Sequence, residues 1–274
     1  MAGARALKAL IFTAGSVGGL SGAAYGLLNG QSKRARTIIG IPRELPLNAD
    51  GTYLPDGTGP FLPSHGDALS FAILGDSLAA GLGAESPDLL PGVRLARGLA
   101  DELGRPVRLS THAISGSRTT DLEAQVDRAL IDPPDLALVI IGGNDVTSKT
   151  SIGMSASLLG RQVVRLMATG TTVLVGTCPD LGIIDPIPQP LRTIASRYSL
   201  SLARAQRRVL DQIGTAAVSL AALLSPEFYA RPDELFSADR FHPNGKGYEF
   251  AANVLLAPLC AATRLGKVAS WSGT

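Results

Sequence analysis

The chain is poor in the residues on which many folds and chemistries depend. Only two of its 274 residues are cysteine, Cys178 and Cys260. Two thiols allow one disulfide at most, too few for a bridge-built scaffold, so a hydrophobic core has to hold the fold. Each reads as a small apolar residue, Cys178 at a strand end and Cys260 inside a helix, in preference to a bridge. Aromatics make up 5% of the chain, so the core must be built from Ala, Val, Leu and Ile. The sequence has no H-E-x-x-H, no Cys pair at zinc spacing and no Walker loop, so it offers neither a metal site nor a cofactor site. With three histidines in all, imidazole chemistry is confined to His65, His112 and His242.

Acidic residues are absent from positions 1–36, which carry Arg5, Lys8, Lys33, Arg34 and Arg36. The remainder holds 20 basic against 23 acidic residues, a net charge of −3, and gives no electrostatic reason to expect nucleic acid as a partner. Arg204, Arg207 and Arg208 read as the solvated face of one helix.

Residues 9–32 carry no charge and are flanked by basic residues, long enough for the roughly 20 residues a bilayer core requires. The stretch reads first as a signal anchor, second as a cleaved signal without a clean cleavage site, and third as a buried helix. The expectation is therefore membrane association through residues 9–32, with the remaining chain anchored or exported and held outside the cytoplasm. Gly18, Gly22, Gly26 and Gly30 recur every fourth residue and would form a smooth helix stripe, open to dimerisation. Residues 37–66, with five prolines among Gly, Asn and Asp, read as a linker or irregular arm. That leaves residues 67–274 for one domain.

From Asp67 onward, short apolar runs alternate with helical periodicity. Strands are expected at Leu69–Leu74, Val107–His112, Leu136–Ile141, Thr172–Gly176 and Ala216–Leu220. Helices are expected at Leu89–Leu103, Asp121–Leu130, Ser155–Ala168, Leu191–Ile213 and Gly247–Arg264. Strands rich in Val, Ile and Leu, separated by helices, predict a parallel sheet covered on both faces: an α/β three-layer, flavodoxin-like sandwich with five strands. In such sheets ligands bind beyond the carboxyl ends of the strands.

Those ends carry four blocks: Gly75-Asp76-Ser77-Leu78 after the first strand, Ile114-Ser115-Gly116-Ser117 after the second, Gly142-Gly143-Asn144-Asp145 after the third, and Asp239-Arg240-Phe241-His242 before the last helix. Ester cleavage needs a hydroxyl activated by a neighbouring base. Ser77 at a strand-to-loop turn can present one. His242, with an imidazole pKa near 6.5 when unperturbed, can take its proton. Asp239, three residues earlier, can orient the imidazole and stabilise its charged form. Read alone, Ser77 could cap a helix, Asn144 could be a turn residue, and His242 could be a capping His beside a surface Asp. His65 reads as solvated and His112 as a satisfied core or rim histidine.

In these four blocks, taken in order, the chain resembles the SGNH, or GDSL, family of esterases and lipases over about residues 68–264. The resemblance implies the SGNH hydrolase fold, a Ser77-His242-Asp239 triad, and an oxyanion hole made by the N–H groups of Ser77 and Gly116 and the amide of Asn144. Asp76 and Asp145 are expected to bond loop backbone. One departure stands out: many family members have Asn where this chain has His112. Ala79 in place of a second elbow glycine argues against the α/β-hydrolase fold. The implied activity is hydrolysis of carboxylic esters, with a short- to medium-chain acyl group on a small-molecule, glycan or lipid alcohol. The alternatives are an acyltransferase with the same triad and a non-catalytic binding module on the same fold.

Overall fold

A computed structural model describes residues 24–35, 37–39, 46–62 and 67–271. Six strands form one sheet: β1 (Gly51–Tyr53), β2 (Leu69–Gly75), β3 (Val107–Thr111), β4 (Leu136–Ile140), β5 (Thr172–Thr177) and β6 (Ala216–Ser219). Their order across the sheet is β1-β3-β2-β4-β5-β6, with β1 antiparallel to β3 and all other pairs parallel. The five expected strands are all present. The sixth, β1, lies in the Pro- and Gly-rich segment that reads as a linker or arm.

The helices are α1 (residues 24–35), α2 (Ser77–Ala80), α3 (Pro91–Leu103), α4 (Leu122–Ala129), α5 (Gly143–Thr147), α6 (Ile152–Met167), α7 (Leu191–Gln212), α8 (Leu220–Ala230), α9 (Pro232–Leu235) and α10 (Gly245–Trp271). Side chains alternate along each strand, so every central strand feeds two cores. Phe71, Ile73, Leu136 and Leu138 pack with Leu95 and Leu99 of α3 and Leu255 and Leu259 of α10. Ala72, Leu74, Ala137 and Val139 face Val126 of α4, Leu159 and Val163 of α6, and Leu210 of α7. Burial on both faces explains why β4 reads as an unbroken apolar run. The chain passes from β2 to β3 on one side and then crosses back to β4 on the other. This reversal opens a crevice at the carboxyl end of β2, where Ser77 follows.

The membrane-anchor expectation, and with it the placement of the domain outside the cytoplasm, is corrected here. Among the described residues, no helix is long and apolar enough to cross a membrane. Residues 9–23 of the expected span lie outside the described residues. Residues 24–32 belong to α1, where Gln31 donates to the carbonyl of Gln189 (2.5 Å) and accepts from the N–H of Leu191 (3.2 Å). Ala35 at the end of α1 is buried in the core. The carboxyl end of the charge-free stretch is thus a helix end docked on the domain through a polar side chain. At Gly26 and Gly30 an added Cβ would meet no atom within 4 Å, so these two glycines pack closely against no described residue; Gly18 and Gly22 lie outside the described residues. His65 also lies outside them. Cys178 and Cys260 are both buried, on separate elements and without a disulfide between them.

The edge strand is anchored by Tyr53, fully buried, whose hydroxyl donates to Ala49 O at 2.6 Å and whose ring lies 5.4 Å from the Arg97 guanidinium carbon. Burial pushes its phenol up to about 12, against the pull of Arg97. Asp50 seals the same edge by accepting from the Thr111 N–H at 3.0 Å and from its hydroxyl at 2.7 Å. Emptying a buried aromatic site costs about 3–5 kcal/mol. Tyr53→Ala should therefore lower the thermal midpoint by on the order of 10 °C. Differential scanning calorimetry checks this; an unchanged midpoint would mean that residues 46–62 contribute no stability.

Candidate active site

The first block is set by the way β2 ends. Gly75 has φ +139°, and a Cβ there would stand 1.8 Å from Ile140 O, so only glycine lets β2 finish this close to β4. Asp76 then caps the short helix α2 by accepting from the N–H of Leu78 at 3.1 Å. Ser77 opens that helix at the rim of the sheet, 8% exposed.

The fourth block arrives from the opposite side, before α10. His242 is 6% exposed, with Nε2 2.9 Å from Ser77 Oγ and Nδ1 2.6 Å from Asp239 Oδ2. The other carboxylate oxygen, Asp239 Oδ1, accepts from Ser237 Oγ (2.8 Å) and from the N–H groups of Phe241 (2.8 Å) and His242 (2.9 Å). Burial alone would raise the Asp239 pKa, but the hydrogen bonds from His242 and the two N–H groups outweigh it and bring the value to about 2. The loop turns so tightly that Arg240 takes φ +55°, held by an ion pair to Asp233 at 2.9 Å. Ser77, His242 and Asp239 are thus brought into one hydrogen-bonded chain.

The second and third blocks meet each other beside Ser77. Asn144, in the first turn of α5, donates from Nδ2 to Ser117 O at 3.0 Å. Asp145 Oδ2 accepts from the Thr119 N–H (2.9 Å) and hydroxyl (3.1 Å), while its buried Oδ1 has no partner among the described residues. This bonding to loop backbone is the role read for both aspartates. Gly116 has φ +84°, a left-handed backbone that favours glycine; a Cβ there would meet no protein atom within 4 Å. The requirement set by the protein is therefore conformational. His112, at the position of the family departure, is half-buried, and burial lowers its pKa. Its backbone N–H continues the β3 ladder to Ile73 O at 2.8 Å.

Sequence reasoning missed two buried glutamines. Gln125 of α4, fully buried, accepts from Gly75 N–H (2.7 Å) and donates to Gly75 O (2.8 Å) and Ser117 Oγ (3.0 Å). Gln206 of α7, also fully buried, joins Cys178 N–H (2.7 Å) to Ile141 O (2.9 Å). A glutamine on the inner face of an otherwise apolar helix stripe is the one signal that could have pointed to them.

A cleft of about 700 Å³ opens at Ser77 and His242. Its walls are largely apolar, formed by Leu181, Ile183, Leu224, Phe228, Phe236 and Phe241. Phe241 meets the His242 ring edge-on at 4.8 Å.

Two predictions follow from the buried groups. Gln125→Leu leaves the buried N–H of Gly75 unpaired, at about 1–3 kcal/mol, while Gly75 O keeps the Ile114 N–H at 3.1 Å, so the denaturation midpoint should fall accordingly. Unchanged stability would show that the Gly75 N–H has another partner. Burial raises the Asp76 pKa from 3.8 to about 6, with the Leu78 N–H and His242 opposing the rise and Asp145 adding to it. Between those values the folded chain keeps a proton that the unfolded chain has released, so Asp76 lowers stability as pH rises through that window. Asp239 acts oppositely: its contribution is complete above 3.8 and is lost as pH falls toward about 2. Asp76→Asn should flatten the decline between about pH 4 and 6 in chemical denaturation; an unaltered slope would place the titration elsewhere.

Comparison with known proteins places the chain among them by sequence and by fold. A model of the GDSL-like Lipase/Acylhydrolase family matches residues 73–250. The GDSL-like esterase Rv1075c of Mycobacterium tuberculosis is 43% identical over 256 residues, which span 90% of this chain and 81% of that protein. A lipase/acylhydrolase from Enterococcus faecalis superposes with a TM-score of 0.56 at 21% identity, covering 70% of this chain and 95% of the other. A catalytic mutant of Axe2, an acetylxylan esterase from Geobacillus stearothermophilus, gives a TM-score of 0.57 at 19% identity, covering 71% and 95%. At such identities the solved structures attest the fold. The expected sandwich is borne out, with six strands in place of five.

Proposed function

Because the chain belongs to the GDSL-like lipase/acylhydrolase family and is a carboxylic ester hydrolase, we propose that Ser77 is its nucleophile, His242 its general base and Asp239 the group that orients the base. The observation that carries this reading is the unbroken contact from Asp239 Oδ2 through His242 to Ser77 Oγ, at 2.6 and 2.9 Å. Ser77 Oγ attacks the acyl carbon while its proton passes to Nε2. The tetrahedral intermediate collapses as Nε2 returns that proton to the leaving alcohol oxygen. Water then repeats the sequence on the acyl-enzyme, releasing the carboxylic acid and restoring Ser77. Asp239, ionised down to about pH 2, stabilises the imidazolium in both steps.

We assign the oxyanion to the N–H groups of Ser77 and Gly116 and to Asn144 Nδ2. In support, neither N–H donates to any described residue. Asn144 uses one amide hydrogen on Ser117 O and keeps the second available. The apolar wall of Leu224, Phe228 and Phe236 suits an acyl chain, short to medium in length. The same acyl-enzyme would serve an acyltransferase in which an alcohol replaces water; no observation in the cleft favours that reading.

Ser77→Ala should abolish cleavage of 4-nitrophenyl butyrate and labelling by a fluorophosphonate, with the thermal midpoint close to wild type. Retention of a tenth of the activity would remove Ser77 from the role. Asn144→Ala should lower kcat by about 10²–10³ with little change in KM, since its donor is aimed at charge that develops only in the transition state. A change confined to KM would make Asn144 a loop residue and nothing more.

A further inference from the structure

A second depression runs on from the catalytic cleft, and its chemistry is different. The two share Asp180, Ile183 and Ser225. Beyond that rim the second depression, about 1020 Å³ and open to solvent, lies between the amino-terminal turns of α7 and one face of α8. The groove is more polar than the cleft: hydroxyl, amide and guanidinium groups stand among its apolar lining. From α7 come Thr193, Ser196 and Arg197, which share a helix face by their spacing. From α8 come Ala222, Ser225 and Tyr229, again on one face.

Three features suit a ligand with many hydroxyls. Tyr229 is 72% exposed, a large aromatic surface that the fold leaves uncovered at the groove. Pro226 sits inside α8 and brings no N–H to the carbonyl of Ala222, which removes one of that acceptor's usual helical donors at the groove. Ser225 Oγ is covered at the rim and bonds to nothing among the described residues, so a turn about χ1 offers it to a ligand without breaking a bond to any of them. The charges also discriminate. Arg192 is committed to Asp185 at 3.0 Å, and Asp180 lines the groove together with Arg197, so the groove has no surplus of positive charge with which to hold a phosphate.

We infer that this groove is the subsite for the alcohol half of the ester, and that this alcohol is a neutral carbohydrate. The inference rests on the serine esterase reading above: the acyl chain lies along the apolar wall, and the sugar crosses the rim at Ser225 and stacks on Tyr229. Arg197, which forms no ion pair among the described residues, donates to its hydroxyls.

The test compares two butyryl esters with the same acyl group, 4-nitrophenyl butyrate and a mono-O-butyrylated cellobiose, using the full chain and its Tyr229→Ala, Arg197→Ala and Ser77→Ala variants. The first two variants should lower kcat/KM on the sugar ester by about tenfold, chiefly through KM, while the nitrophenyl ester changes less than about twofold. Equal losses on both esters, or no loss on either, would overturn the subsite. So would a butyryl ester of glycerophosphate that proves a better substrate than the sugar ester and loses activity in Arg197→Ala. Ser77→Ala separates the two levels of the argument. If it abolishes cleavage of both esters while the groove variants behave as wild type, only the subsite falls. If cleavage persists in Ser77→Ala, the esterase reading falls with it.

Discussion

The site depends first on holding three strand ends in register at the carboxyl edge of the sheet. β2, β3 and β4 each stop and turn away, and the last peptide groups of each lose the partners that a continuing strand would supply. Gln125 provides the replacement. Its amide bonds both polar groups of Gly75, one residue before Asp76, and reaches Ser117, one residue after Gly116. Asn144 closes the triangle by donating to the carbonyl of Ser117, and Asp145 does the same for the backbone of Thr119. Because the amide is buried and fully used, any shift of one loop against another would strand polar groups away from water. Ser77, Gly116 and Asn144 inherit their relative positions from this network.

The histidine loop is fixed by different means. The antiparallel bridge between Phe236 and Pro243 closes it at the base, and the Tyr248 hydroxyl ties α10 to Leu82 O at 2.7 Å, just beyond Ser77. Within the loop a single carboxylate oxygen of Asp239 gathers two N–H groups and a hydroxyl, which frees the other oxygen for His242. Electrostatics then divides the two nearby carboxyls. Asp239, rich in donors, is driven down to about 2, whereas Asp76, with fewer donors and deeper burial, is driven up to about 6. Only the first is suited to remain a fixed negative charge beside an imidazole that must gain and lose a proton.

Much of this was legible in the sequence, for identifiable reasons. β4 is apolar at every position because it is buried on both faces, so pattern alone reveals it. The four blocks were readable because the crevice at the sheet edge requires particular residues: glycine where β2 meets Ile140 O, and an acid three residues before His242. β1 was hidden, since three residues among prolines and glycines carry no periodicity, and only the burial of Tyr53 shows what they contribute. α8 was hidden by Pro226, which ordinarily ends a helix and here sits inside one. Gln125 and Gln206 were missed because hydropathy scores a buried glutamine as a surface residue. The anchor reading failed for a related reason. Absence of charge is not by itself membrane affinity: Gln31 is an uncharged polar residue that the domain itself binds.

The contrast between cleft and groove also bears on whether the acyl group goes to water or to another alcohol. The reacting hydroxyl and imidazole are both more than nine-tenths buried, so whatever fills the space beside His242 Nε2 after the first alcohol departs becomes the second nucleophile. By microscopic reversibility, a groove that holds an alcohol during acylation can hold one during deacylation. Transfer therefore competes with hydrolysis to the extent that the groove stays occupied. A solvent-open groove without surplus charge, floored by single hydroxyls and one exposed ring, lets its occupant leave readily. On the proposed assignment of Ser77, His242 and the groove, weak retention of the leaving alcohol would let water reach the acyl-enzyme first, the same two residues serving either outcome.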